Sequence, residues 1–399
     1  MAVNIAILGF GTVGSGVADI LAMNKDSIKA KSGKDIVLKH VLDIVDFPDS
    51  PFADLVTHNA DDVFEDPELN VVIETIGGAR IAYEYTKRAL SKGISVVTSN
   101  KELVSTHGVE LLKIAEENGC TYLYEAAVGG GIPIIQPLYR DLAANKIVRI
   151  AGIVNGTTNY ILTQMKDNGI SYEEALKQAQ ANGFAEANPT ADVEGIDAQR
   201  KLSILSTIAM EGGYVAPDDI HAEGISKLTL DDIDFEDKAQ AELKLIAYFE
   251  NNGNGAVAYV APTYVSRSNL LSSVNGVFNA VMVDGNALGM SMYYGQGAGT
   301  MPTASAVFGD ILQVAVTGGK PLEPRLWKET SEKIMPYAEV KADIIVRLDS
   351  KANELMKAFE GYSPLALGDD AVIVSSISHG DAEKICASVD GAKWFHILR

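Results

Sequence analysis

Cysteine is nearly missing from this chain: 399 residues contain two, Cys120 and Cys386. Two thiols so far apart, in no metal-like spacing, exclude a disulfide framework and a cysteine-rich zinc site. They point to reduced, partly buried side chains in a cytoplasmic protein. Basic residues are also scarce, 33 against 53 acidic, for a formal net charge of -20. Nucleic acid and anionic membrane surfaces would be repelled, although helix N-termini and a few lysines can still take a small anion. No apolar run reaches the length of a bilayer span, and the opening "MAVNIAILGF" has neither a basic n-region nor a cleavage site, so no secretory signal is expected. Internal repeats and low-complexity tracts do not occur. Ser-His-Asp, H-E-x-x-H and Cys-rich metal patterns are likewise absent, and of six histidines only His107 lies near a motif, where packing accounts for it.

The composition, 47% hydrophobic and 22% charged, is that of a globular protein with two or three domains. Through about residue 130, apolar β-branched runs ("VNIAILGFG", "IVLKHVLDIVD", "NVVIETIGG", "ISVVTSN", "CTYLYEAAVGGG") alternate with amphipathic helical stretches stopped by glycine. That alternation predicts an α/β domain over 1–130, a parallel sheet covered on both faces, with "NKDSIKAKSGK" as an extra loop. From "IPIIQPLYRDL" the rhythm changes to longer helices, Gly-rich loops and the strands "KIVRIAGIVNG" and "NGAVAYVAPTYV". This is the expected α+β catalytic and dimerisation domain, 131–320. The stretch "GGKPLEPRLWKETSEKIMPY" reads as a connector, and 336–399 as a small α/β module of strand, helix, strand, helix, strand.

"ILGFGTVGSG" places Gly9, Gly11 and Gly14 in G-x-G-x-x-G/A spacing, after a strand and at the start of a helix. Gly9 permits the tight turn, Gly11 lets a pyrophosphate approach the backbone, and Gly14 lets helix and strand pack closely. The helix N-terminus then presents free N–H groups, the arrangement of a Rossmann-type dinucleotide site. Asp43 and Asp46 follow the second strand, where an acidic side chain would bond a ribose 2′-OH, and no arginine is nearby to neutralise a 2′-phosphate; this leans toward NAD, while solvated loop positions explain both aspartates equally. Lys101, in "TSNK", sits at the carboxyl end of a strand, where ligands gather. "EAAVGGGIP" sets Glu125 beside a turn rich in accessible carbonyls, oxygen ligands for a monovalent cation or simply a turn.

The densest chemistry lies in "GFAEANPTADVEGIDAQRKL", with Glu186, Asp192, Glu194, Asp197 and Lys201. Asp197 and Lys201, four apart, share one helix face, and the helix continues as apolar "LSILSTIAM". An inward lysine held by a carboxylate can deliver a proton to a carbonyl oxygen, and the neighbouring carboxylates suit a substrate ammonium. "NGTTNYI" invites comparison with the Ser-Cys-Thr-Thr-Asn segment of phosphorylating aldehyde dehydrogenases, but Gly156 stands where their nucleophilic cysteine would be. Without a thiol, hydride transfer to a carbonyl is favoured over acylation; the alternatives are another semialdehyde oxidoreductase and a non-catalytic dinucleotide sensor.

"ILGFGTVGSGV", "TSNKELVSTHG", "YEAAVGGGIPII", "NGTTNYIL", the acidic segment and "GQGAGTMPTASAVFGDI" together resemble homoserine dehydrogenases, in the same order over residues 1–320. The resemblance implies NAD(P)-dependent interconversion of L-aspartate 4-semialdehyde and L-homoserine, in threonine and methionine biosynthesis, commonly by a dimer. It implies that Lys201 donates and accepts the proton, that Asp197 binds and orients substrate, and that Glu186, supported by Asp192, binds the amino group. Lys101 would lie between cofactor and substrate. Phe10, Thr12 and Val13 would contact the cofactor with Gly183 and Gly299 closing over it, and Glu125, Val128, Gly130 and Ile132 would form a sodium site. The chain departs from the family at Val45, where NADP-preferring members often carry arginine nearby, and in its ACT-like tail, which lacks an "RPGVL"-like turn.

Overall fold

β1 (Val3–Leu8) presents buried Ile5, Ala6, Ile7 and Leu8 in succession, the continuous apolar run of a strand covered on both faces. It lies in the middle of a six-stranded sheet with β2 (Ile36–Leu42), β3 (Val56–Thr57), β4 (Leu69–Glu74), β5 (Ser95–Thr98) and β6 (Tyr122–Leu123). The order is β3-β2-β1-β4-β5-β6 and every pairing is parallel. Chain direction across the sheet therefore switches between β1 and β4, the point where doubly wound sheets open a ligand crevice. The helices Thr12–Ser32, Arg80–Ser91 and Lys101–Glu117 follow β1, β4 and β5. Val17, Ile20 and Leu21 pack with Ile5, Ile7, Val71, Ile73 and Val97, and with Val307, Phe308 and Ile311 of the helix Thr300–Thr317. Each such side chain contributes roughly 1.5–3 kcal/mol when fully buried.

The structure is a computed structural model that describes residues 2–251, 253, 255–323 and 325–399. Its contacts form two compact units: Met1–Lys146, Ser203–Ala216 and Tyr293–Ser331 in the first, and Ile147–Leu202, Pro217–Met292 and Glu332–Arg399 in the second. The segment expected as an extra loop is helical instead: Thr12–Ser32 runs on past one non-helical residue, Asn24, and stops only at left-handed Gly33. Nothing between Asn24 and Gly33 breaks a helix, and lysines in its last turn suit the negative end of the helix dipole. Within the connector, Arg325 and Trp327 are buried, while Pro324 lies outside the described residues. Cys120 and Cys386 are free and buried, as expected. Among the described residues, no helix is long and apolar enough to cross a membrane.

The second unit is built on a ten-stranded sheet of β7 (Ile147–Ile153), β8 (His221–Ala222), β9 (Ala241–Asn251), β10 (Ala256–Ser266), β11 (Phe278–Gly285), β12 (Gly289–Gln296), β13 (Lys341–Arg347), β14 (Leu365–Leu367), β15 (Ala371–Ser378) and β16 (Lys393–Leu398). The order is β12-β11-β7-β9-β10-β16-β13-β15-β14, with β8 also on β10. The tail has one strand more than its sequence pattern announces, β14, which makes Lys341–Leu398 a β-α-β-β-α-β arrangement of split βαβ type. Ile344, Val346, Leu355, Phe359, Val374 and Ile377 give it a core of its own. It nevertheless continues the sheet of the middle region, because Thr263–Val265 of β10 pair in parallel with His396–Leu398 of β16.

Candidate active site

In the first unit the glycine turn is shaped as its spacing predicts. Gly9 has φ +91°, and a Cβ there would sit 2.8 Å from the Thr75 carbonyl oxygen. A Cβ on Gly14 would drive into the Gly9 carbonyl oxygen and come within 2.9 Å of Ile7 Cγ2. Above Gly11, by contrast, there is open space, and the helix that Gly11 opens has no side-chain cap and no acidic residue in its first turn. Its leading N–H groups are thus available to an anion, which the helix dipole favours. Thr12 is exposed and Val13 partly so, whereas the Phe10 ring packs edge-on against Phe47 at 5.1 Å. Phe10 therefore serves the turn through its backbone: its N–H donates to Asp43 Oδ2 at 2.6 Å, as Gly9 N–H does to the Leu42 oxygen at 2.8 Å.

Asp43 Oδ1 also accepts the Val45 N–H at 3.1 Å, so this carboxylate braces the turn. Asp46 is exposed and meets His58 Nε2 at 3.0 Å. His58 is pushed above the ordinary histidine range by its hydrogen bonds to the Asp43 carbonyl and to Asp46. Asn100 caps the helix Lys101–Glu117 by accepting the Leu103 N–H at 3.0 Å, so Lys101 is the first residue of a fixed helix. Gly299, with φ +114°, opens the helix Thr300–Thr317.

The Glu125 carboxylate is buried and already engaged, taking the N–H groups of Ile134, Ile135 and Gln136 at 2.6, 2.9 and 2.6 Å. Its own N–H donates to Asp310 Oδ2 at 2.8 Å. Burial, and then the Glu125 charge, push Asp310 up to about 7, while burial also raises Glu125 against the pull of its three N–H donors. Gly130, at φ +56°, leaves room for the Gly297 carbonyl, and Ile132 N–H donates to the Gly129 oxygen at 2.9 Å. What this turn has to offer a cation is main-chain oxygen. Among the described residues no group of three or more His, Cys, Asp or Glu is placed to hold a metal.

The second unit gathers the lysine and the carboxylates. Asp197 and Lys201 lie near the start of the helix Ile196–Ala209, on its inward face, 4% and 9% exposed. Lys201 Nζ donates to the Val154 carbonyl at 2.7 Å and pairs with Asp197 Oδ2 at 2.8 Å. An i,i+4 pair that would be solvated on a surface helix is here the buried polar end of an apolar one, next to fully buried Leu202, Ile204 and Leu205. Gly195 makes the approach to the helix possible: at φ +79°, a Cβ there would meet the Glu223 carbonyl oxygen at 3.3 Å.

Sequence reasoning missed the hub of this cluster. Asn155 follows β7 and caps the helix Gly156–Asn168, its Oδ1 accepting the Thr158 N–H at 2.9 Å. Its Nδ2 donates to Asp192 Oδ1 at 2.7 Å and to Asp197 Oδ2 at 2.9 Å. The usable signal was an asparagine between an apolar run and a helical rhythm, the N-cap preference. Lys201 and Asn155 thus meet on one carboxylate oxygen, Asp197 Oδ2. Glu186 and Gly183 instead lie exposed on the loop 182–189, which Thr157 anchors through a 2.6 Å bond to the Phe184 carbonyl. At Gly156 any side chain would stand 2.8 Å from the Val277 oxygen, so no thiol fits there.

Comparison with known proteins gives one answer. The family model described as "Homoserine dehydrogenase, NAD binding domain" matches residues 9–125, and that described as "Homoserine dehydrogenase" matches 133–312. The homoserine dehydrogenase of Bacillus subtilis is 41% identical over 348 residues, 85% of this chain and 80% of that protein. Among solved structures, a homoserine dehydrogenase from Thiobacillus denitrificans superposes with a TM-score of 0.91 at 32% identity, covering 100% of this chain and 98% of that one. A hyperthermophilic archaeal homoserine dehydrogenase in complex with NADPH superposes with a TM-score of 0.67 at 29% identity, over 82% of this chain and 100% of that one. A glycine turn open to a pyrophosphate, a buried lysine–carboxylate cluster and matches along most of the sequence agree, and the chain belongs to the homoserine dehydrogenase family.

Proposed function

We propose that the protein interconverts L-aspartate 4-semialdehyde and L-homoserine with NAD(P), as a cytoplasmic homodimer. The observation that carries the reading is Lys201: a buried ammonium held by Asp197 and the Val154 carbonyl, on a helix whose first turn is tied to Asn155. In reduction, Lys201 gives its proton to the aldehyde oxygen as that oxygen becomes an alkoxide; in oxidation it takes the hydroxyl proton. Asp197 keeps the ammonium aimed, and Asp192 and Glu186 offer carboxylates to the substrate ammonium. A dinucleotide held by Gly9 to Gly14, with Lys101 and Gly299, supplies or accepts the hydride when bound. Gly183, with Gly299, would close over the cofactor in this reading.

The ribose end favours NAD over NADP, because Asp43 and Asp46 would face a 2′-phosphate with, among the described residues, only His58 as a basic partner. A sodium ion near Glu125, Val128, Gly130 and Ile132 would rest on main-chain carbonyls, since the Glu125 carboxylate is taken by three N–H groups. The test is absorbance at 340 nm with homoserine and each oxidised cofactor in turn. A homoserine-dependent rise, larger in kcat/KM with NAD, is expected; no rise with either cofactor would remove the reading.

A further inference from the structure

Glu74 is the last residue of β4 and is fully buried at the carboxyl edge of the parallel sheet, in register with Leu8 of β1 and Thr98 of β5. Three loops leave the sheet at this level: the glycine turn after β1, Thr75–Gly78 after β4, and Ser99–Lys101 after β5. Glu74 Oε1 accepts the Ile76 N–H at 2.7 Å and Oε2 accepts the Thr98 hydroxyl at 2.6 Å. Thr98 Oγ1 in turn accepts the Asn100 N–H at 2.9 Å, and Asn100 Nδ2 returns to the Ile76 and Gly78 carbonyls at 3.2 and 2.8 Å. The bonds close a ring through both loops, and the same Asn100 caps the helix that starts at Lys101. Next to Glu74, Thr75 Oγ1 donates to the Gly9 carbonyl at 2.7 Å, which joins the ring to the glycine turn. The exposed strip Gly77–Gly78 has open space above it, as Gly11 does.

We propose that Glu74 is a positioning residue for the dinucleotide, setting through Thr98 and Asn100 the loops after β4 and β5 against the glycine turn and so fixing Lys101. The proposal rests on the homoserine dehydrogenase reading for its kinetic consequence and on the crevice at the β1/β4 switch for its binding consequence. Both Glu74 oxygens act as acceptors in this ring, one from a main-chain N–H and one from a hydroxyl. A group with an acceptor toward Ile76 N–H and a donor toward Thr98 Oγ1 keeps the same connections, because the hydroxyl oxygen has a second lone pair beside the one that takes the Asn100 N–H. Burial pushes Glu74 up to about 7, with Thr98, Ile76 and Asn100 opposing. The titratable group facing it is Tyr122 of β6, a buried phenol raised well above its ordinary value.

The experiment measures the dissociation constant of NADH by fluorescence, without substrate, from pH 6 to 8.5, and kcat and KM for NAD with homoserine. The proteins are wild type, Glu74→Ala and Glu74→Gln. Glu74→Gln can still offer its oxygen to Ile76 N–H and its NH₂ to Thr98. We expect Glu74→Ala to weaken NADH binding about tenfold and lower kcat by a similar factor, and Glu74→Gln to recover most of both. If Glu74→Gln binds NADH as weakly as Glu74→Ala, or Glu74→Ala binds NADH as wild type does, the assignment is overturned. NADH binding that responds to Glu74 in a protein that does not oxidise homoserine would instead overturn the activity reading and leave the positioning role standing.

Discussion

Replacing Lys201 with methionine keeps the length of the side chain and removes its ammonium. If Lys201 is the proton donor, kcat falls by about 10²–10⁴, a barrier increase of ~3–5.5 kcal/mol. The same change leaves the buried Asp197 carboxylate, 4% exposed, without the ammonium 2.8 Å away. Breaking a buried pair from one side costs ~3–5 kcal/mol of folding stability. The lower end applies here, because Asn155 Nδ2 still donates to the same Asp197 oxygen at 2.9 Å. The two losses separate in the double variant Lys201→Met with Asp197→Asn, which removes the stranded charge: stability returns toward wild type while kcat stays low. The assays are initial rates at 340 nm at saturating homoserine and NAD, NADH affinity by fluorescence, and urea midpoints. NADH affinity should be unchanged throughout, since Lys201 touches none of the glycine turn's bonds. A Lys201→Met protein turning over homoserine within tenfold of wild type would show that the proton comes from elsewhere.

Glu186→Ala is expected to raise the KM for homoserine with little change in kcat; an unchanged KM would take Glu186 out of the amine site. Gly14→Ala should abolish measurable NADH binding while the protein remains folded, because its Cβ meets the Gly9 carbonyl and Ile7 Cγ2; binding within threefold of wild type would refute the close packing of this turn. His379 is buried, and burial lowers it to about 4 against a backbone hydrogen bond at Tyr337. An unfolded histidine takes up its proton near 6.5, so stability contributed here is complete above pH 6.5 and is lost as pH falls toward 4, by up to ~3 kcal/mol. His379→Phe should flatten urea midpoints measured between those pH values, and an unaltered slope would count against the site.

The parts of the molecule written in local sequence were legible. The glycine turn, the parallel alternation and the inward Asp197–Lys201 pair all follow from spacing within a few residues. What stayed hidden depends on residues brought together from far apart. Asn155 reads as a helix cap until the fold sets it beside Asp192 and Asp197. Glu74 reads as the polar end of an apolar strand until Thr98 arrives alongside. Glu125 reads as a possible cation ligand until three backbone N–H groups are seen to occupy it. The helix through 25–31 reads as a loop in the sequence because charge and a late glycine suggest solvent, although neither breaks a helix. The tail's strands were foreseen, but not β14, nor that β16 would pair with β10; a parallel register between distant segments leaves no periodic trace in either.

That last pairing has a consequence for how the protein is made. β16 lies between β10 and β13, so it alone joins β12-β11-β7-β9-β10 to β13-β15-β14. It is also the last of the ten strands to leave the ribosome. Until it emerges, β10 and β13 each present an unpaired edge, Thr263–Val265 on one side and Ile344–Arg347 on the other. Open edges of this kind invite pairing with other chains. Closure of the second unit thus waits on the last of its strands, and a chain stopped before Lys393 would keep an open seam between β10 and β13.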